Sequence, residues 1–155
     1  MSEENASTGL EKYLIYQLGE NHFATPLIEV REVIEYRTAK PIPHTAPFFK
    51  GVINIRGEIV GVIDLRERLA IAGTDNPMAL LVFETSSGPL AAIVDIVHSV
   101  TIIPEASLER RAAIHGQGAD RNYFVGVGKI DDRLLTVVSL RQVLSDDQLQ
   151  ELPQP

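Results

Sequence analysis

Residues 49–69 read FKGVINIRGEIVGVIDLRERL and contain one complete structural unit. Two runs rich in β-branched residues, 52–55 and 59–63, flank the dipeptide formed by Arg56 and Gly57. Such runs around a short turn are typical of a β-hairpin, and the glycine supplies the positive φ that these turns need. The segment that follows has two leucines four residues apart, as on one face of a helix. The stretch therefore predicts a strand, a tight turn, a second strand and a short helix.

The unit occurs a second time along the chain. Residues 51–69 align without a gap with residues 126–144, at an offset of 75. Seven of the 19 aligned pairs are identical, namely Gly51/Gly126, Val52/Val127, Ile55/Ile130, Val62/Val137, Leu65/Leu140, Arg66/Arg141 and Leu69/Leu144. Upstream, residues 13–33 align with residues 80–100 at an offset of 67, with identities that include Ala24/Ala91, Val30/Val97 and Val33/Val100. We interpret the chain as an internal duplication of a β unit of roughly 60 residues.

Composition restricts the classes of protein to which the chain can belong. Its 155 residues are 45% hydrophobic, enough for a buried core, and the absence of cysteine excludes disulfides and favours a reducing compartment. A net charge of −7 argues against nucleic acid and anionic membrane, which both attract basic surfaces. Residues 1–11 lack the features of a signal peptide, and no apolar run approaches the roughly 20 residues that span a bilayer. We therefore expect a cytoplasmic globular protein with no nucleic-acid partner and no membrane insertion.

The repeat sets the expected domain organisation. Ten short strands in two sets of five, with little helix, indicate an all-β fold of two tandem pseudo-symmetric five-stranded barrels, with a C-terminal helix packed across both. The expected boundaries are a flexible tail at 1–11, one domain at 12–149 with units at about 12–72 and 77–144 and a C-terminal helix at 140–150, and a tail at 151–155. Residues 108–114 are compatible with a further short helix.

No catalytic or cofactor site is predicted. The four histidines, His22, His44, His98 and His115, match no metal-binding spacing, and the chain has no phosphate-binding or nucleophile motif. Asp64 and Asp95 each follow an apolar run, which is typical of a polar residue at the end of a strand.

Two surface features remain open to interpretation. Arg56 occupies a turn position that usually holds Asn or Asp. It is either an ordinary exposed residue or a guanidinium that recognises a carboxylate, on a partner or on the local Glu32. The apolar residues Val30, Val33 and Ile34 are interleaved with charged residues, and they form either part of the core or an exposed patch.

The repeat and four motifs resemble the CheW-like coupling proteins of bacterial chemotaxis over residues 12–149. The motifs are residues 30–34, residues 51–66, residues 94–100, and the strand pair from Gly126 to Leu140. The resemblance implies two SH3-like barrels and no enzymatic activity or cofactor. It also implies an adaptor in two-component signal transduction, joining methyl-accepting chemoreceptors to the regulatory domain of a CheA-like histidine kinase at membrane-bound receptor arrays. An adaptor of a pilus or other surface-motility array, or a small-ligand-binding barrel, is the alternative.

The resemblance also implies roles for individual residues. The kinase-facing positions are Val30, Val33 and Ile34. The positions that engage or shape the receptor contact, here the cytoplasmic hairpin of the receptor, are Arg56, Gly57, Glu32 and Gly51.

Overall fold

Strands dominate the fold, as the periodicity predicts. The computed structural model describes residues 11–110 and 122–153. In these ranges the strands are β1 (Lys12–Leu18), β2 (Asn21–Pro26), β3 (Glu32–Glu35), β4 (Phe49–Ile55), β5 (Glu58–Asp64), β6 (Ala79–Thr85), β7 (Gly88–Val94), β8 (Ile96–Ile102), β9 (Leu108–Arg110), β10 (Phe124–Ile130) and β11 (Arg133–Val138). The helices are the α-helices α1 (Leu65–Leu69) and α2 (Asp146–Glu151) and the 3₁₀ helices η1 (Leu27–Glu29), η2 (Glu105–Ser107) and η3 (Leu140–Gln142). The predicted all-β class is confirmed.

Each of the two sheets takes strands from both halves of the chain. One sheet, barrel A, has the order β8-β1-β2-β11-β10-β9, and the other, barrel B, has the order β3-β6-β7-β5-β4. The repeat relates β1 to β6, β2 to β7, β3 to β8, β4 to β10 and β5 to β11. Equivalent strands therefore follow each other in the same order in the two sheets, and β9 is additional in barrel A. The first hairpin of each half lies in the barrel of the other half, where β2 pairs in parallel with β11, and β7 with β5. Two pseudo-symmetric units exist, but their boundaries are not the consecutive segments 12–72 and 77–144.

In each barrel a backbone segment passes close to a glycine that is identical in the two copies of the repeat. In barrel B, Lys40 and Val52 exchange two backbone hydrogen bonds of 2.9 Å. In barrel A, β9 makes the equivalent contact with β10. This strand covers the first three residues of the segment 108–114 that was compatible with a helix, and residues 111–114 lie outside the described ranges. A side chain at Gly51 would collide with the carbonyl of Lys40, and Gly126 meets the backbone of the crossing strand in the same way. Close backbone approach therefore explains the first identical pair of the duplication.

Three apolar clusters fill the molecule, one inside each barrel and one between them. Along β1, Tyr13 and Ile15 point into barrel A, while Leu14, Tyr16 and Leu18 point into the cluster between the barrels. A strand buried on both faces needs no polar alternation. This is why β1 and β6 read as nearly continuous apolar runs.

The C-terminal helix is shorter than predicted. The apolar spacing over 140–150 suggested one helix, but the segment divides into η3 and α2. Ser145 starts α2 through a capping box, in which its hydroxyl accepts from Gln148 N at 3.1 Å and its N–H donates to Gln148 Oε1 at 2.8 Å. Leu149 in α2 and Leu152 just after it are buried in the cluster between the barrels.

Candidate interaction surface

The β4–β5 turn holds Arg56 in an unusual backbone conformation. Arg56 has φ 49° and Gly57 has φ 88°, so both central residues of the turn are left-handed. Positive φ was predicted for the glycine alone, and the structure shows it at Arg56 as well. Asn54 supports the turn, because its Oδ1 accepts from Gly57 N at 2.9 Å. A left-handed conformation is unfavourable for a residue with a Cβ, so the fold holds Arg56 there at a cost.

Arg56 projects from this turn and pairs with Glu32 at the start of β3. The Arg56 Nη2 to Glu32 Oε2 distance is 2.5 Å, and 67% of the arginine side chain is exposed against 24% of the glutamate side chain. The hydrogen bond from Arg56, which outweighs the opposing effect of burial, lowers the pKa of Glu32. The local pairing that was one interpretation of Arg56 is therefore present. Most of the guanidinium still faces solvent with further N–H donors.

Arg31 extends this pair into a network. Its Nη1 donates to Glu84 Oε2 at 2.8 Å and its Nη2 donates to Glu58 Oε1 at 2.9 Å. We call the five side chains the charged surface: Arg31, Glu32, Arg56, Glu58 and Glu84. It joins β3, at the edge of barrel B, to β6 and to the tip of the β4–β5 hairpin. Three of its members, Arg31, Glu58 and Glu84, were not predicted as site residues. Arg31 and Glu58 are each adjacent in sequence to a predicted site residue, and Glu84 is not.

The three predicted apolar residues have different surroundings. Val33 is 43% exposed, whereas Ile34, the next residue along β3, packs against the interior of barrel B. Val30 is half-buried against the cluster between the barrels. Adjacent residues in a strand point to opposite faces, so the three cannot form one continuous patch. Val100, the repeat counterpart of Val33, is likewise 48% exposed on β8.

Gly51 is a buried part of the scaffold. It lies beneath Lys40 at the closure of barrel B and has φ 134°, a value suited to glycine. It can shape the surface around the hairpin, but it offers no side chain to a partner.

A buried ionic cluster joins the two halves of the chain. Arg66 donates from Nε and Nη2 to the two oxygens of Asp64, at 2.8 and 3.0 Å, and from Nη1 to Asp95 Oδ1 at 2.7 Å. Asp95 also accepts from Gly19 N at 2.6 Å and from Thr74 Oγ1 at 2.7 Å. Burial acts to raise the pKa of Asp95, but these hydrogen bonds and Arg66 together lower it. Asp64 and Asp95 are thus structural, as their positions at strand ends suggested.

A second carboxylate, that of Glu29, also joins the two halves of the chain. Glu29 accepts from Leu140 N at 2.7 Å and from Ser139 Oγ at 2.9 Å, at the start of η3. Arg141, the repeat counterpart of Arg66, is exposed and donates to the Ile28 carbonyl at 3.3 Å. The identical arginine pair of the duplication therefore has one member whose side chain is only 13% exposed, Arg66, and one exposed member, Arg141.

The described ranges contain no group of three or more histidine, cysteine or acidic residues placed to hold a metal ion. A cleft of about 700 Å³ lies beside α2, and polar side chains such as Arg68, Gln142 and Gln148 make up most of its lining. Among the histidines, His22 and His98 stack on each other, His44 lies in the segment 41–47, which contains three prolines and precedes β4, and His115 lies outside the described residues. Within 11–110 and 122–153, no helix is both long and apolar enough to span a membrane.

Comparison with known proteins agrees with this architecture. The sequence pattern of the CheW-like domain matches residues 12–148. The chain belongs to the CheW-like domain family. The CheW-like assignment made from the repeat and the four motifs is confirmed.

Individual relatives match over most of their length. The chemotaxis protein CheW of Klebsiella aerogenes is 28% identical over 141 residues, which cover 90% of this chain and 84% of that protein. The chemotaxis protein CheW of Bacillus subtilis is 23% identical over 145 residues, with 90% of each covered. The scaffolding protein TtCheW of Thermoanaerobacter tengcongensis has a similar structure, with a TM-score of 0.79, 27% identity, and coverage of 92% of this chain and 97% of that one. At the level of the family, the predicted function in chemotaxis is confirmed.

Proposed function

We propose that this CheW-like domain is a non-enzymatic adaptor that couples methyl-accepting chemoreceptors to a CheA-like histidine kinase. The observation that carries the proposal is the match of residues 12–148 to the CheW-like domain, with named relatives that are chemotaxis and scaffolding proteins. The adaptor would act in the cytoplasm, at the cytoplasmic ends of membrane-bound receptors.

The receptor contact is assigned to the hairpin side of barrel B. Arg56 and Gly57 form the projecting turn, Glu32 pairs with Arg56, and Gly51 sets the path of β4 beneath the closing segment. A guanidinium with free donors is suited to a carboxylate on a helical hairpin, because its planar fork forms directional charge-assisted hydrogen bonds. The residue most exposed to a partner in this set is Arg56.

The kinase contact is assigned to β3 and the residues before it. Val33 is the residue of this set on the open surface. Val30, before the strand, packs against the cluster between the barrels, and Ile34 packs against the interior of barrel B, so both would support the strand from beneath. An exposed valine on an edge strand fits a partner of the same barrel type, since apolar cores of interfaces are small and surrounded by polar residues.

Reconstitution tests the coupling directly. Receptor cytoplasmic fragments on vesicles should retain the kinase only when the adaptor is present, and autophosphorylation of the kinase should then depend on the receptor. Failure of the adaptor to bind either partner alone would refute the proposal. A ligand-binding barrel would behave differently, because nucleotides or metals would raise its melting temperature.

A further inference from the structure

Four side chains form a ladder across four neighbouring strands of barrel A. Arg133 Nη1 lies 3.2 Å from His22 Nε2, and the rings of His22 and His98 stack with centroids 5.3 Å apart and an interplanar angle of 16°. His98 Nε2 lies 2.6 Å from Gln17 Oε1, and Gln17 is the cross-strand partner of His22. The side chains belong to β11, β2, β8 and β1, which are adjacent in the sheet. We call this set the histidine ladder.

The hydrogen bonds assign the protons. Gln17 Nε2 donates to the Gly19 carbonyl at 3.0 Å, which turns Oε1 of the amide towards His98. The His98 Nε2 must then carry the hydrogen. A guanidinium can only donate, so the contact with Arg133 requires an unprotonated Nε2 on His22. The ladder is complete only while the His22 ring is neutral.

The surroundings of His22 oppose its protonation. Burial, Arg133 and His98 all lower the pKa of His22, in that order of size. From β11 it faces Arg133, from β8 it faces His98, and from β1 it faces the uncharged Gln17. Asp131 lines a cavity of about 450 Å³ with His98 and Arg133, but it is not among the groups that shift the pKa of His22.

Three positions of the histidine ladder correspond, in the repeat, to three positions of the charged surface in barrel B. The 67-residue offset relates Arg31 to His98 and Glu84 to Gln17, and the 75-residue offset relates Glu58 to Arg133. In barrel B, Arg31 bridges two carboxylates that remain charged across the neutral range. In barrel A, the equivalent positions hold an imidazole, an amide and a cation. The positions in barrel B thus form an ionic network, whereas those in barrel A include a histidine, a side chain that ordinarily titrates near neutral pH.

We propose that the histidine ladder is a proton-sensitive clasp that holds the β8 edge of barrel A. Protonation of His22 removes the acceptor for Arg133 and places a second positive charge beside Arg133, against the stacked ring of His98. The ladder then separates, and β8 is held less tightly, since its paired neighbour within the described ranges is β1 alone. Barrel B, with its Arg31 bridges, stays closed over the same pH range. This inference is independent of the proposed partners.

Two measurements on the intact chain test the clasp. In NMR titrations, the His22 ring should titrate below the ordinary histidine pKa of about 6.5. In hydrogen exchange expressed as protection factors, β8 should lose protection as the pH falls below the ordinary histidine pKa of about 6.5 towards the lower pKa of folded His22, while β3 should not.

A matched pair of variants completes the test. His22→Gln can still accept from Arg133 but cannot be protonated, so its β8 protection should no longer depend on pH. His44→Gln removes a histidine outside the ladder and should keep the dependence. The clasp is refuted if His22 titrates at or above the ordinary histidine pKa of about 6.5, if β3 and β8 lose protection equally, or if His22→Gln retains the pH response.

Discussion

Arg56 can be tested with two substitutions that have opposite effects on the backbone. Arg56→Ala and Arg56→Gly both remove the guanidinium and its 2.5 Å contact with Glu32. At φ 49°, alanine keeps the left-handed strain, which costs about 1–2 kcal/mol for a residue with a Cβ. Glycine relieves that strain but gains about 0.4–1 kcal/mol of entropy in the unfolded chain. The glycine variant should therefore be the more stable of the two by about 1 kcal/mol, as measured by urea unfolding.

Binding should not follow this difference in stability. A lost hydrogen bond to a charged group costs about 1.5–3 kcal/mol, which weakens binding roughly 10- to 150-fold. Titration calorimetry with a receptor hairpin fragment should show this loss for both variants alike. Titration with the kinase regulatory domain should show affinities close to the unsubstituted protein, because Val33 lies on the other face of β3 from Glu32.

Three results would refute the reasoning. A glycine variant that binds the receptor fragment normally would show that the guanidinium does not contact the receptor. Equal losses for receptor and kinase would show that Arg56 acts by fixing Glu32 and β3. If the less stable of the two variants also bound the receptor fragment more weakly, the substitutions would act through folding alone.

Further predictions concern β3, the buried cluster and acid stability. Val33→Glu should remain folded and lose kinase binding, whereas Val100→Glu, at the equally exposed repeat position, should keep it; loss of the thermal transition in the first variant would show that Val33 is core. Arg66→Met leaves two buried carboxylates without their cation and should cost about 3–5 kcal/mol of unfolding free energy. Arg141→Met, at the exposed counterpart, should cost less than about 0.5 kcal/mol, and similar losses in both variants would contradict the structural role. Because the pKa of Asp95 is lowered on folding, its stabilisation is full above the ordinary value near 3.8 and is lost as pH falls through the folded-state value. Asp95→Asn should lack that part of the acid transition in pH-dependent unfolding.

Local pattern predicted the elements well. The β4–β5 hairpin, its copy at β10–β11 and the strand character of β3 were all visible as runs and periods in the sequence. Each run specifies its own strand because side-chain alternation and turn residues act over a few positions. The pairing of Arg56 with Glu32 could be anticipated as one of two interpretations. The choice between the two could not be made from the sequence, since the contact depends on how barrel B brings β3 close to the β4–β5 turn.

Contacts between distant segments were not predictable in this way. Position 51 requires glycine because the backbone of Lys40 passes directly over it. Neither local sequence contains a pattern that predicts this close approach. Arg31 had no distinguishing pattern either, although it links β3 to two carboxylates on other strands. The predicted helix at 140–150 failed for a local reason, because Ser145 and Gln148 form a capping box that starts a new helix inside an apolar period.

The exchange of hairpins between the halves shows most clearly what a repeat can and cannot specify. A duplicated sequence fixes two equivalent sets of strands, but β2 can complete the sheet of its own half or of the other half with the same local pattern. The double-sided burial of β1 and β6 favours the exchanged arrangement. Each of these strands supplies one face to a barrel interior and the other to the cluster between the barrels. Continuous apolar runs at the start of each half are therefore the sequence signal for a shared core. These runs indicate how the two units pack together, whereas the similarity between the units indicates only that there are two of them.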